Sequence, residues 1–192
     1  MKLITFITTE TNGLHLDNAY DFILKKNLYK YAHLCKLVYH QGYYKDGKIE
    51  LVNKKSFLVK PEHYIFPESL TKINGLTHSK LEKKGWELED VMTEFVSAMK
   101  TSQVIVGHNL PFHMKTIIAS LFRAGVPYEF KDKLMVDIID YNHKVEKPKL
   151  LTLAKEILGK DYSDKPRSYQ INIIKKVFCK LYSNMEKEVK GF

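Results

Sequence analysis

An α/β sandwich around a central mixed sheet is the fold this sequence predicts, and three observations predict it. Three strand-like runs come first, at Leu3–Thr8, Leu34–Tyr39 and Ile49–Val59. Helical and extended patterns alternate after them, the mark of a layered α/β domain. Val104-Ile105-Val106 is also too apolar for a strand with one wet face, so it reads as a central strand covered on both sides.

The elements follow in order. Leu3, Ile4, Phe6 and Ile7 make the first strand. Asp17 to Lys30 carries Ala19, Phe22, Ile23 and Leu28 at near-helical spacing, so a helix is expected there. The second and third strands are joined through Asp46-Gly47, a dipeptide that favours a tight hairpin. After Pro61 comes a loop rich in Pro, Tyr and His. Glu89 to Met99 then places Val91, Phe95, Val96 and Met99 on one helical face. Pro111 suits a helix start, and Ile117, Ile118, Leu121 and Phe122 would point inward from that helix. Leu134 to Ile139 is the fifth strand; Leu150–Leu158 and Tyr169–Tyr182 are the last helices.

Composition bounds the function classes. The 192 residues fit one domain spanning 1–192, with no repeat, low-complexity tract or linker to divide them. No apolar stretch approaches the roughly 18 residues of a membrane span, so no membrane partner is expected. Lys2 precedes only a short apolar run broken by Thr5, so a secretory leader is not expected. Cys35 and Cys179 have neither metal-ligand spacing nor the density of a disulfide scaffold, and Cys179 is expected in the core. A reducing, cytoplasmic setting is therefore the expectation. The net charge of +9 suits a polyanionic partner. Yet only Arg123 and Arg167 are arginines; the other basic residues are lysines, which are often solvated point charges. Lys175, Lys176 and Lys180 on the last helix are read as such a solvated face.

The motifs sharpen this reading. The first strand ends Thr8-Thr9-Glu10-Thr11-Asn12-Gly13-Leu14. Val59-Lys60-Pro61-Glu62 is followed by Ile73-Asn74-Gly75-Leu76-Thr77, and Val106 leads into Gly107-His108-Asn109-Leu110-Pro111-Phe112-His113. Met135-Val136-Asp137-Ile138 and the helix from Leu150 to Gly159 complete the series. Together they resemble the DnaQ-like (DEDD-type) 3′–5′ exonucleases over nearly the whole chain. The resemblance implies a ribonuclease-H-like fold with five strands and helices on both faces. It also implies four carboxylates and a His base arranged for two divalent metals.

Two-metal cleavage places its ions about 3.5–4 Å apart, clamping the attacking and leaving oxygens. Hard cations demand converging oxygen ligands. Here the resemblance aligns Thr8 with the family's first Asp, keeps Glu10, and puts His113 where Asn109 and Phe112 set the register for a second Asp. Counting back from Phe178 puts Gln170 at the third Asp and Lys165 at the His; another register would use Asp161 or Asp164. Four of five catalytic positions are thus substituted, and Glu10, with His113 as a possible second ligand, is the one metal candidate.

The expectation is a catalytically inactive member of the fold that binds nucleic acid or serves as a scaffold, with no cofactor. An active Mg²⁺- or Mn²⁺-dependent exonuclease with rearranged ligands and a protein-interaction module are the alternatives. In the first case Lys165 would neutralise Glu10. The resemblance gives Thr9, Thr11 and Leu14 to the terminal-nucleotide pocket, with His108 and Asn109 beside it. Asp137 and Asp140 are expected to face solvent at a strand end.

Overall fold

The computed structural model describes residues 1–16, 22–141 and 148–190, with side chains up to 183. Five strands make one sheet: β1 (Leu3–Thr11), β2 (Leu34–Lys45), β3 (Lys48–Leu58), β4 (Val104–Gly107) and β5 (Leu134–Asp137). Their order is β3-β2-β1-β4-β5. β2 runs antiparallel to both neighbours, while β1, β4 and β5 are parallel. The sheet is mixed, as expected, and β4 lies inside it.

Period-two alternation in β1 divides the molecule into two cores. Ile7 joins Leu37, Tyr39 and Ile105 beneath α3 (Leu88–Thr101) and α4 (Leu110–Ala124). Ile4 and Phe6 face the other way, with Val104 and Val106, beneath α5 (Leu150–Leu158) and α6 (Gln170–Lys190). Every side chain of β4 is buried because both faces are covered, which is why its sequence does not alternate. Two short helices, α1 (Glu68–Asn74) and α2 (His78–Lys84), flank a small third cluster of Cys35, Phe66, Leu76 and Leu81.

The β2–β3 hairpin turns at Asp46 and Gly47, both with positive φ (48° and 79°), as a two-residue turn requires. The helix expected over Asp17 to Lys30 is not what the described part of that segment forms. Residues 17–21 lie outside the described residues, Phe22 is 84% exposed, and only Lys25–Lys30 winds, as a 3₁₀ turn. Local side-chain bonding overrides the pattern here. The Asn27 side chain accepts the Leu24 N–H and donates to the Phe22 carbonyl, groups that a continuous helix would have bonded internally. The Arg123 guanidinium from α4 holds the carbonyls of Leu28, Tyr31 and Ala32 at the segment's end.

Candidate functional site

The cleft forms where β1 and β4 end. Thr8 and Glu10 are two residues apart and so share the face that carries Ile4 and Phe6. Phe6 meets Phe178 of α6 edge-on at 5.4 Å, which sets the start of α6 opposite Glu10. A cavity of about 620 Å³ opens there, and its wall includes Thr8, Thr9, Glu10, Thr11, Leu14, His108, Asn109, His113 and Gln170. Lys149 and Thr152 from the α5 side and Ile73 and Asn74 from α1 complete its rim.

Lys165 is not part of this wall. Its Nζ pairs with the neighbouring Asp164 at 2.7 Å, out in solvent. The cation that meets Glu10 is Arg167, whose Nε donates to Glu10 Oε1 at 2.6 Å. Pro166 leads into a 3₁₀ turn over Arg167–Tyr169, and that turn, more than the spacing from Phe178, decides which side chain enters. The Glu10 side chain is 16% exposed and that of Arg167 40%, so the carboxylate is enclosed while the guanidinium bars the mouth. A second recess of about 430 Å³ adjoins the bar and shares Thr8, Glu10 and Arg167 with the cleft, adding Lys36 and Lys80. The sequence held a signal for Arg167: in a lysine-rich chain, an arginine marks a place where a fixed fork of donors is used. Arg123, the other one, grips three carbonyls.

His113 is tied down as firmly. Its Nδ1 accepts the Thr9 backbone N–H at 3.2 Å and lies 2.7 Å from Thr9 Oγ1. An amide can only donate, so Nδ1 carries no proton, the hydroxyl donates to it as well, and the proton sits on Nε2. Burial, reinforced by His108, Arg167 and His15, pushes the imidazole down to about 4, so it is neutral near pH 7.

The loop after β4 is built for shape. Asn109 adopts a left-handed conformation (φ 57°), which Asn tolerates better than most residues. His108 Nε2 lies 2.8 Å from the Pro148 carbonyl, its natural acceptor, tying this loop to the approach to α5. Asp137 does not face solvent as expected. Its carboxylate accepts the N–H groups of Asn109 (3.0 Å), Leu110 (2.7 Å) and Ile139 (3.1 Å), capping α4 from the adjacent strand. Asn109 itself makes no side-chain cap, so the first amides of α4 take Asp137 instead.

Opposite this loop, Leu14 projects at the rim, 80% exposed. The turn that carries it is fixed on both sides. Thr11 Oγ1 donates to the Gly13 carbonyl, Asn12 Oδ1 accepts the His33 N–H, and the His15 ring packs on Phe112 at 4.5 Å.

These residues do not fit a pair of hard divalent cations. Among the described residues no three His, Cys, Asp or Glu side chains come together as a metal site. Glu10 is held by a guanidinium, Asp137 by three backbone amides, Asp164 by Lys165, and His113 Nδ1 by Thr9.

Comparison with known proteins agrees with this geometry at the level of fold. An exonuclease family model, RNase T, matches residues 9–161. No curated protein matches the sequence. Among solved structures, E. coli Exonuclease I in complex with an oligonucleotide is 14% identical over all of this chain, with a TM-score of 0.71. This chain spans 43% of that one, less than half its length. A 3′-exonuclease described for 3′-end specific recognition of a histone mRNA stem-loop is also 14% identical, over 95% of this chain and 82% of its own, with a TM-score of 0.71.

Proposed function

Because this chain belongs to the RNase T exonuclease family, we propose that its cleft holds the end of a single-stranded nucleic acid and does not cut it. The observation that carries the reading is the Arg167–Glu10 ion pair. Where the family resemblance implies carboxylates gathered around cations, this chain closes its one surviving carboxylate with its own cation. Four carboxylates in one cleft need bound metal, because like charges at close range repel strongly in a low dielectric. Thr8, His113 and Gln170 bring no such charge, and Arg167 neutralises Glu10 unaided.

The residues suit holding better than cleaving. With Nε on Glu10, the remaining guanidinium nitrogens of Arg167 can meet a phosphate at the mouth, and Lys36, Lys80 and Lys149 add positive charge around it. Leu14 gives an apolar surface for a terminal base, opposite His108 and Asn109. Neutral His113 shapes the floor, with its Nε2–H bonded to the His108 backbone and its Nδ1 unable to serve as a base. E. coli Exonuclease I has been captured with an oligonucleotide, which supports nucleic acid as the class of ligand.

The test is to incubate the purified protein with single-stranded DNA and RNA in Mg²⁺ or Mn²⁺ and to titrate both ions calorimetrically. Oligonucleotide binding without shortening, and no tight two-site metal binding, is the expected result. Cleavage that vanishes in Glu10→Ala would overturn the reading in favour of an exonuclease with rearranged ligands. No oligonucleotide binding at low salt would leave the fold as a protein-interaction module.

A further inference from the structure

On the other side of α6 lies a separate concavity, about 580 Å³, between that helix and the β2–β3 hairpin. Lys48, Lys175, Lys176 and Lys180 line it together with Asn172 and Tyr169, and no carboxylate does. The sequence reading of these lysines as a merely solvated helix face is therefore incomplete. Lys175 is half-buried, and burial together with the nearby Lys54 pulls its ammonium down from its ordinary value. Lys54 stands opposite His40 in the β2–β3 ladder. His40 Nδ1 is buried with no hydrogen-bond partner, and burial, Lys175 and Lys54 push that imidazole down to about 4. Half-buried positive charge without a counter-ion is costly unless an anion arrives to compensate it. Among the described residues, none of Lys48, Lys54, Lys175, Lys176 and Lys180 makes an ion pair.

We propose that this groove carries the sugar–phosphate backbone of the same single strand whose end occupies the cleft, with Lys48, Lys175 and Lys180 meeting successive phosphates. The proposal rests on the reading of the cleft given above, and the two sites lie on either side of the start of α6. Arg167 and Gln170 line the cleft, and Tyr169, between them in sequence, begins the groove. From Tyr169 to Lys180 the chain advances about 16 Å at the helical rise, enough for several nucleotides. Rings accompany the charges. Tyr162 and Tyr169 lie 6.3 Å apart at 26°, and Lys176 Nζ stands 5.5 Å and 6.0 Å from their centroids. Tyr162 is buried beneath this stack, and Tyr169 is the ring on the groove wall where a base can stack beside the lysines. An acidic peptide would use the lysines and leave Tyr169 idle.

Binding of two oligothymidylates, one of about 3 nucleotides that fills only the cleft and one of about 12 that reaches the groove, tests the proposal by fluorescence anisotropy. In Lys48→Gln/Lys175→Gln/Lys180→Gln the long oligonucleotide should bind at least about tenfold more weakly at low salt. Its log–log salt slope should fall by about 2, at about 0.7 per lost contact. The short one should bind as before. Because Lys175 is half-buried, the exposed pair Lys48→Gln/Lys180→Gln is the companion variant, and about two-thirds of the slope change should remain. Unchanged affinity and slope for the long oligonucleotide would overturn the groove and leave the cleft reading standing. Failure of the wild type to bind either oligonucleotide would overturn both. Polyglutamate competing as well as the oligonucleotide, charge for charge, would reassign the groove to acidic proteins.

Discussion

Arg167 and Glu10 should behave as an asymmetric pair. The guanidinium can swing into solvent when its partner is lost, whereas the enclosed carboxylate cannot. Arg167→Ala is therefore expected to destabilise the fold more than Glu10→Gln, with a coupling of about 1 kcal/mol or less from a double-mutant cycle in urea. Equal effects would mean that the cleft solvates Glu10 without help. Three histidines set the acid limit. His33, His40 and His113 are each pushed by burial from an ordinary 6.5 down to about 4. The unfolded chain thus binds protons that the folded chain refuses. Their contribution to stability is complete above about pH 6.5 and is lost as pH falls toward 4. His113→Gln should flatten the pH dependence of the urea midpoint in that window by about a third. A variant curve parallel to the wild type would assign the acid sensitivity to other groups.

At the scale of elements, Asp137 shows how strand and helix depend on each other. It holds the first amides of α4 from β5, and Asp137→Ala should cost about 1–2 kcal/mol, the price of a helix cap, read from denaturant midpoints. A loss below a few tenths would show that water replaces it. This cap also marks the limit of what the sequence could tell. Strands, hairpin turn and the helices of both layers were legible, because hydrophobic period and turn chemistry are local. The segment before Lys30 misled, since its apolar spacing mimics a helix whose inner backbone groups the Asn27 side chain takes instead. The cation opposite Glu10 was placed two residues early, because motif spacing does not register a 3₁₀ turn. Asp137 looked idle because its partners lie 27 and 28 positions away.

At the scale of the whole molecule, two cores share one sheet. Ile7 and Phe6 are adjacent in β1 yet belong to opposite layers, so neither layer can loosen without unsettling the strand between them. Cooperative unfolding of the two layers is expected. Phe178→Ala, on the α6 side, should cost about 3–5 kcal/mol. It should lower the transition seen by Trp86 as far as that seen by circular dichroism, although Trp86 packs on Phe57 of the opposite layer. Two separated transitions would show that the layers unfold independently.

The strand order places β3 and β5 at the two rims of the sheet, and the rims are guarded differently. β5 has four residues, too short to template another strand, even with Leu134 56% exposed. β3 has eleven, and its open backbone could recruit a neighbouring molecule. Lys48, Lys54 and Lys55 stud that strand, and like charges facing each other across a would-be seam oppose such pairing. Lys48, assigned above to the phosphate track, thus also helps to keep copies of the protein apart in crowded solution. Neutralising it should cost solubility as well as binding, and light scattering at rising concentration would register self-association along this rim.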